Sequence, residues 1–344
     1  MATIRDVASH AGVSTATVSR VVSGRGHVSL EARERVLAAV AELGYVPNAL
    51  ARGLKTRRSR SIGLLIPELV DPFYLHVAQA VEDVASAAGF RVILGNSNAS
   101  AERERTYVDL MLAHNVDGVV FGSLKPPRAA VRILQEKGTP TVLIDEPPLD
   151  LAVDSVRGDN VGGARALTRH LLAQGHRRIA LLNGLDGALS VEERERGFRQ
   201  AMAEAGAPVD ETLISRDPWT LAAGERRAAT LLDIRPRVTA IFTGSWFLGI
   251  GALRALEGAG CAVPDDVAVA TFDDAPFAES RAPFLTAAAQ PVHEIGALAT
   301  RMLLDRITGR ECGPPREEIL PTHLIVRASS AIVSLPASRG AARR

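Results

Sequence analysis

The feature that most constrains the fold of this chain is a regular alternation of short apolar runs and helical patterns that begins at Ser61. The first four runs are SIGLLIP, RVILGN, DGVVFG and PTVLID, and they are rich in Val, Ile and Leu. Such runs are typical of strands buried on both faces of a parallel sheet. Helical patterns over residues 74–88, 102–114 and 127–137 separate them, so the sequence predicts a doubly wound α/β lobe.

A second series of the same kind follows along the chain. The strand-like runs are RIALLNG, TAIFTGS and VAVATFDD, and helices are predicted over residues 192–205, 221–232 and 246–259. Two consecutive doubly wound units predict two lobes with a cleft at the carboxyl ends of their strands. We assign residues 61–335 to this two-lobed body and residues 336–344 to a disordered tail.

Residues 1–46 predict a separate all-α domain. Thr3 and Asp6 form a capping pattern before a first helix that Gly12 ends. Ser14 can cap a second helix through TATVSRVV, and a third helix begins near Ser29. Two helices joined by AGVS and braced by a third form a helix-turn-helix layout, although a three-helix bundle without a DNA role gives the same pattern.

The second and third helices each have an apolar pattern. In the second helix, Val18, Val21 and Val22 recur at helical spacing and are predicted to face inward. The residues left on its outer face are Thr15, Ala16, Ser19 and Arg20. The apolar pattern of the third helix comprises Val36, Leu37, Val40 and Leu43. Hydroxyl groups and an arginine on an exposed helix suit phosphate contacts and guanine recognition.

The charge of the chain is divided unevenly along its length. Residues 1–60 carry ten Lys and Arg against four Asp and Glu, a net charge of +6. Residues 61–344 carry 30 against 35, a net charge of −5, so the total of +1 hides the difference. A basic head joined to an acidic body indicates that the head binds a polyanion.

The head and the segment after it resemble the LacI/GalR family of bacterial transcription repressors. The resemblance rests on TIRDVASHAGVSTATVSRVVSG and on HVSLEARERVLAAVAELGYVPNALARGLKTRRSRSIGLLIP. It implies that Thr15, Ala16 and Arg20 meet base edges in the major groove of double-stranded DNA. It also implies that Ser14, Thr17 and Ser19 lie near the DNA backbone.

Residues 47–60 correspond to the hinge of that family, which becomes a short helix on operator DNA. The resemblance implies that Leu54 enters the minor groove at the dyad as an apolar wedge, with Arg52 and Lys55 on phosphates. It further implies a homodimer that reads a palindromic operator, because two heads on a twofold axis bind two half-sites.

The body resembles the periplasmic-binding-protein-like effector domain of the same family. The matching segments are PELVDPFY, GHRRIALLNG, ERERGF, AVPDDVAVATFDD, PFLTAAAQP and LPTHLIVRASS. The resemblance implies a small effector, usually a sugar, that binds between the lobes and changes operator affinity. Arg194 and Asp273 correspond to the main effector contacts, and Trp219 corresponds to an aromatic residue that packs against the ligand.

The remaining effector candidates come from the same resemblance. They are Phe73, Asp145, Ser190, Ser245 and Trp246. Members of the family commonly have Asn-Asp where this chain has Ser245 and Trp246, so the effector cannot be taken over from a relative. Trp246 can instead pack beneath the cleft.

The sequence lacks the motifs of several other function classes. GIGALR lacks the third glycine of a dinucleotide site, and the sequence contains no P-loop, G-x-S-x-G or H-E-x-x-H motif. The histidines lack the spacing of metal ligands, and Cys261 and Cys312 fit reduced thiols. No catalytic residue, cofactor or metal is therefore predicted, and an enzyme with a DNA-binding head is disfavoured.

The sequence also bears on the location of the protein and on the chemistry of its effector. Without an export signal or an apolar run of about 18 residues, we expect a soluble, cytoplasmic protein, which disfavours a solute-binding protein of a transporter. Within the regulator class, the open alternatives are an effector that is a nucleoside or a phosphorylated metabolite, and activation or corepression in place of induction.

Overall fold

The computed structural model describes residues 2–23, 27–45, 59–147, 150–274 and 284–330. The chain forms two compact units, residues 1–59 and 60–344, and each is described by itself. Within the predicted hinge at residues 47–60, only Ser59 and Arg60 belong to the described residues. The predicted tail at residues 336–344 lies outside them, as do Arg52, Leu54 and Lys55.

The first unit contains three helices over its described part. They are α1 (Ile4–Ala11), α2 (Thr15–Ser23) and α3 (Leu30–Glu42). The predicted capping box is confirmed, because the Thr3 backbone N–H donates to Asp6 at 2.8 Å while the Thr3 hydroxyl accepts from the Asp6 N–H. Val18 and Val36 are fully buried in the small core. Leu37 is instead 49% exposed, because Val36 and Ala39 form the face of α3 that packs on the core.

The first lobe of the second unit, lobe 1, is a six-stranded parallel sheet with helices on both faces. Its strands are β1 (Ser61–Ile66), β2 (Arg91–Asn96), β3 (Gly118–Gly122), β4 (Thr141–Ile144), β5 (Asp154–Gly158) and β11 (Glu317–Leu320). Its helices are α4 (Pro72–Ala87), α5 (Ala101–Ala113), α6 (Arg128–Glu136) and α11 (Val292–Thr308). The strand order is β11-β5-β4-β3-β1-β2.

The second lobe, lobe 2, repeats this architecture. Its strands are β6 (Ile179–Asn183), β7 (Ile214–Arg216), β8 (Ala240–Thr243), β9 (Ala268–Phe272), β10 (Thr286–Ala289) and β12 (His323–Ile325). Its α-helices are α7 (Asn160–Ala173), α8 (Leu189–Glu204), α9 (Leu221–Leu232) and α10 (Trp246–Gly258). The strand order is β12-β10-β9-β8-β6-β7, and only β12 is antiparallel to its neighbour.

The two predicted lobes are confirmed, but the prediction that they follow one another along the chain is wrong. The chain crosses between the sheets at residues 158–160, 289–292 and 320–323, so α11 and β11 return to lobe 1. Three crossings place the carboxyl ends of the two sets of parallel strands around one cleft.

Charged residues explain why β5 was missing from the sequence prediction. Its segment DSVRG is buried throughout, although two of its five residues are charged. Asp154 accepts hydrogen bonds from Arg306 at 2.8 and 2.9 Å, and Arg157 donates to Glu193 at 2.7 Å. These pairs offset the cost of burying the charges, which an apolar pattern search does not detect.

The described helices were compared with the length and apolarity of a membrane span. Among those that the structure describes, none combines the length and the apolarity that a membrane span requires. The apolar residues of both lobes instead pack between sheet and helices. Ile62, Val120 and Leu303 belong to one such cluster in lobe 1, and Leu181, Phe242 and Phe272 belong to another in lobe 2.

Candidate functional site

In the first unit, α2 presents the predicted outer face to solvent. Thr15, Ala16, Ser19 and Arg20 are exposed, whereas Val18 and Val21 are buried. The Ser14 hydroxyl accepts from the Thr17 N–H at 3.1 Å and lies 2.9 Å from the Thr17 hydroxyl, so it caps α2 as predicted. The four exposed side chains lie on one face of α2, which is the face predicted to contact DNA.

In the second unit, polar side chains collect where the parallel strands end. We call six of them the inner cluster, because they comprise Arg194, polar groups that interact with it and polar groups at the neighbouring strand ends. Its members are Asp145, Asn160, Asn183, Arg194, Asp273 and Gln290. Asp145 follows β4, Asp273 follows β9, and Gln290 follows β10.

Arg194 is the centre of the inner cluster and is only 1% exposed. Its Nε donates to Asn160 Oδ1 at 2.9 Å, and its Nη1 donates to the Gly244 carbonyl oxygen at 2.6 Å. The guanidinium carbon lies 3.9 Å from the centre of the Phe272 ring. Nη1 lies 3.5 Å from Asp273 Oδ2. Nη2 makes no hydrogen bond to any described residue, so it remains available to a ligand.

Two aspartates at the strand ends adopt an unusual backbone conformation. Asp145 has φ 71° and Asp273 has φ 65°, which is the left-handed region that Asp and Asn enter more readily than other non-glycine residues. Gln290 Nε2 donates to Asp273 Oδ1 at 2.7 Å, and the Tyr74 hydroxyl donates to Asp145 Oδ2 at 3.4 Å. The turns therefore point one carboxylate from each lobe toward Arg194.

Carboxyl groups are crowded in the cleft. Burial and the Asp273 charge raise the pKa of Asp71 to about 7. Burial also raises the pKa of Asp145 to about 6, against the opposing effect of the Arg194 guanidinium. Burial and the Asp145 charge raise the pKa of Glu146 to about 8. The cleft therefore carries a strong negative charge when these groups ionise.

Glu146 connects the two lobes. It follows Asp145 in lobe 1, and its carboxylate accepts backbone N–H groups of Leu189 and of Ser190, the latter at 2.9 Å, in the first turn of α8 in lobe 2. Ala188 at the start of α8 has no side chain that could satisfy these donors. One lobe thus caps the helix of the other that carries Arg194.

The raised pKa values predict that this unit loses thermal stability as the pH increases. The folded state holds protons on Asp71, Asp145 and Glu146 up to about pH 6–8, whereas the unfolded chain releases them near pH 4. The free energy of unfolding therefore decreases as the pH rises from about 4 toward 8. The melting temperature of the second unit, measured by calorimetry from pH 5 to 8.5, should fall steadily.

Asp71→Asn should flatten this slope, because Asn keeps the cap on the Phe73 N–H and removes one titrating group. The exposed Asp109→Asn serves as the control and should leave the slope unchanged. A slope that is the same in wild type and Asp71→Asn would contradict the charge crowding.

Aromatic residues complete the walls of the cleft. Trp219 lies 5.3 Å from the Arg194 guanidinium, and its Nε1 packs over Gly184, where a Cβ atom would come within 2.5 Å. Trp246 is half-buried and stacks on Phe247 at 4.1 Å. Its indole N–H points to the Asp71 carboxylate and lowers the pKa of that group, which partly offsets the rise caused by burial. The contact does not meet the geometry of a full hydrogen bond. Trp246 therefore lies next to Asp71.

Three further candidates have structural partners of their own. Phe73 packs edge-to-face on Tyr74 at 5.0 Å within the lobe 1 core. Ser245 caps α10 by accepting from the Leu248 N–H at 3.5 Å. The buried Ser190 donates its backbone N–H to Glu146, and its hydroxyl lies near the same carboxylate without meeting the geometry of a full hydrogen bond. The structure brings Ser190 to the cleft and uses Phe73 and Ser245 mainly in packing and capping.

Several buried polar atoms near the inner cluster lack hydrogen-bond partners among the described residues. They are Asp145 Oδ1, Asn183 Oδ1, Ser190 Oγ, Thr243 Oγ1 and Gln290 Oε1. Buried polar atoms in native proteins are normally paired with protein, water or ligand. Their concentration at the strand ends indicates a site for a polar molecule.

Five residues of this site were not predicted from the sequence: Asp71, Glu146, Asn160, Asn183 and Gln290. A usable signal was present for Asn183 and Gln290, since each stands at the carboxyl end of a strand, the position that also holds Asp145 and Asp273. Glu146 and Asn160 gave no such signal, because their roles depend on contacts between the lobes.

Comparisons with known proteins agree with this architecture. Residues 3–48 match the profile of bacterial regulatory proteins of the lacI family, and residues 168–330 match a periplasmic binding protein-like domain. The chain is 38% identical over 330 residues to the ribose operon repressor of Halalkalibacterium halodurans, across 96% of this chain and 97% of the relative. This chain belongs to the lacI family. As a member of the lacI family it is a DNA-binding transcriptional repressor.

Other lacI-family proteins match over similar lengths. The transcriptional regulator CelR of Thermobifida fusca is 40% identical over 334 residues, across 95% of this chain and 98% of the relative. A solved CelR–cellobiose complex is 37% identical, covers 96% of this chain and 100% of its own, and has a TM-score of 0.73. The lac repressor dimer bound to operator is 28% identical, covers 96% and 99%, and has a TM-score of 0.85. The predicted fold, a helix-turn-helix head with a two-lobed α/β body, is confirmed.

Proposed function

We propose that this repressor binds a palindromic operator as a homodimer and that a small sugar bound in the inner cluster sets its affinity for that operator. The observation that carries the proposal is the arrangement around Arg194. A buried guanidinium lies beside carboxylates of both lobes and several polar atoms without partners. Because both lobes contribute groups, a ligand there binds differently as the angle between the lobes changes.

The charges of the cleft favour a neutral polyhydroxyl ligand over a phosphate. Arg194 interacts with the carboxyl groups of Asp145 and Asp273, and the charge of Asp273 acts in turn on Asp71. The nearby Arg157 is already paired with Glu193 and Glu317. Sugar hydroxyls donate to carboxylates and accept from a guanidinium, whereas a phosphate would be repelled by the carboxylates. The cellobiose complex of the related CelR also supports a sugar.

Effector binding is proposed to act through the lobes. Glu146 of lobe 1 caps α8 of lobe 2, and a ligand on Arg194 bridges the same two elements. A ligand that favours one arrangement of the lobes shifts the population of that arrangement in the dimer. Such coupling is typically worth about 1–3 kcal/mol.

The DNA contacts are proposed on the exposed face of α2. Thr15, Ala16 and Arg20 are proposed to meet base edges, and Ser14, Thr17 and Ser19 are proposed to lie near the DNA backbone. Leu54, Arg52 and Lys55 are proposed to enter or flank the minor groove at the dyad. The related lac repressor binds operator as a dimer, which supports the twofold arrangement.

A thermal-shift screen of the full-length chain tests the effector proposal. At a concentration about 100 times its dissociation constant, a ligand stabilises the folded state by about 2.7 kcal/mol. We expect neutral sugars among the panel to raise the melting temperature of wild type. Stabilisation by sugar phosphates alone would contradict the proposal.

A further inference from the structure

The division between the two units falls between Ser59 and Arg60, and the backbone of Arg60 is unusual. Its φ is 54°, in the left-handed region that residues with a side chain rarely occupy. Among the described residues, six non-glycine residues have a positive φ, and four of them are Asn or Asp, which enter this region most readily. Arginine has no such preference, so the contacts around Arg60 must hold this conformation.

Both backbone groups of Arg60 are held by lobe 1. Its N–H donates to Asp117 Oδ2 at 2.8 Å, and its carbonyl oxygen accepts from the Arg91 N–H at 2.9 Å. Asp117 directly precedes β3 and Arg91 begins β2, and these two strands flank β1 on its two sides. The Asp117 N–H also donates to the Ser61 carbonyl oxygen at 2.7 Å. The start of β1 is therefore fixed on both sides.

The side chain of Arg60 adds two further contacts. Its guanidinium carbon lies 5.8 Å from the centre of the ring of Phe90, which is buried. A cation within about 6 Å of a ring centre is attracted by the ring. Nη1 lies against Gly89, where an added Cβ atom would come within 3.2 Å. Arg60, Phe90 and Asp117 thus hold one another in a single arrangement, and we call these three residues the junction clamp.

The junction clamp lies away from the effector cleft. Arg60, Phe90 and Asp117 directly precede β1, β2 and β3, so they lie at the amino ends of three neighbouring parallel strands. The inner cluster lies at the carboxyl ends. Strained residues persist where the surrounding structure holds them, and they concentrate at functional sites. The contacts of the clamp fix the direction in which the chain enters β1.

We infer that the junction clamp determines which spacing of operator half-sites the homodimer accepts. The inference rests on the proposed homodimer and palindromic operator. The head is joined to lobe 1 by the chain that ends at Arg60, so this residue is the fixed point from which each head reaches its half-site. Two fixed points in a dimer favour one distance between the heads, whereas two points that pivot permit several. Asp117 and Phe90 are therefore positioning residues, which act on DNA binding through Arg60.

Fluorescence anisotropy with the full-length chain tests the inference. The duplexes are the palindrome that the protein selects from a random pool, and the same palindrome with base pairs inserted at its centre or removed from it. We expect wild type to bind the selected spacing about tenfold or more tightly than each altered spacing. Asp117→Ala removes the acceptor of the Arg60 N–H and should lower this ratio by about fivefold or more.

Matched variants isolate the clamp. Asp117→Asn makes the same change of charge but keeps a side-chain oxygen that can accept the Arg60 N–H, so it should retain the wild-type ratio. Asp109→Ala removes an exposed carboxylate of lobe 1 and should also retain it.

Arg60→Gly provides a second disruption in case Asp117→Ala does not fold. Glycine frees the backbone at this position and loses the contact with Phe90, so the ratio between spacings should again fall. Loss of a phosphate contact would weaken binding to every duplex equally, whereas loss of the clamp changes the ratio between duplexes.

The outcomes separate the inference from the proposed function. If folded Asp117→Ala and Arg60→Gly keep the wild-type ratio, or if wild type binds all spacings equally, the inference is overturned while the palindromic operator stands. If the selected duplex carries a single half-site, or if one chain binds each duplex in analytical ultracentrifugation, the proposed homodimer and the inference are both overturned.

Discussion

Arg194→Ala should abolish the response to effector. The side chain holds Asn160, the Gly244 carbonyl and Asp273 in place and offers Nη2 to the ligand. Hydrogen bonds to charged groups contribute about 1.5–3 kcal/mol each, so losing two would weaken effector binding by a factor of 100 or more. Titration calorimetry with the sugar that most stabilises wild type measures the loss.

Controls separate this effect from misfolding. Arg196→Ala removes an arginine of the same helix that is exposed to solvent, and it should leave effector affinity unchanged. Arg194→Lys keeps the positive charge without the planar fork and should restore folding but only part of the affinity. If the Ala variant folds, binds operator normally and responds fully to effector, the assignment of Arg194 is wrong.

Arg20→Ala should weaken binding to the specific operator by about 1–3 kcal/mol, as expected for the loss of a bidentate guanine contact. Arg20 is exposed on α2, so its removal should not disturb the core of Val18, Val21 and Val36. Fluorescence anisotropy on a duplex that the protein itself selects from a random pool measures the loss. The preference at one base pair of each half-site should relax.

Arg33→Ala provides the comparison for Arg20. It removes the same charge from an exposed position on α3 and should change operator affinity little. The deciding comparison is between the affinity that Arg20→Ala loses for the specific duplex and the affinity that it loses for random duplexes. Equal losses on both for Arg20→Ala would identify it as a phosphate contact without a role in base recognition.

The fold was predictable where one physical rule sufficed. Continuous apolar runs located β1, β3, β4, β6, β8 and β9, because both faces of a parallel sheet are buried. The caps at Thr3 and Ser29 were predictable because a helix start needs a side-chain acceptor. Strand β5 was not, because its buried charges depend on Arg306 and Glu193 far along the chain.

The candidate site was predictable only in part. Arg194 and Asp273, named by resemblance, do meet, with Nη1 and Oδ2 3.5 Å apart. The role of Glu146 was not predictable, since it arises only when lobe 1 meets the start of α8. The cavity of about 540 Å³ that Asp71, Trp219 and Phe247 line also lies between the lobes, and no local pattern in the sequence encodes such a space.

The central claim is that a ligand in the cleft controls operator affinity. The most direct test is the anisotropy titration of the selected duplex with full-length protein, with and without the sugar that raises the melting temperature most. The account predicts that the sugar changes the apparent dissociation constant for operator by about 5- to 150-fold in wild type and not in Arg194→Ala. A sugar that binds wild type tightly yet leaves its operator affinity unchanged would contradict the account.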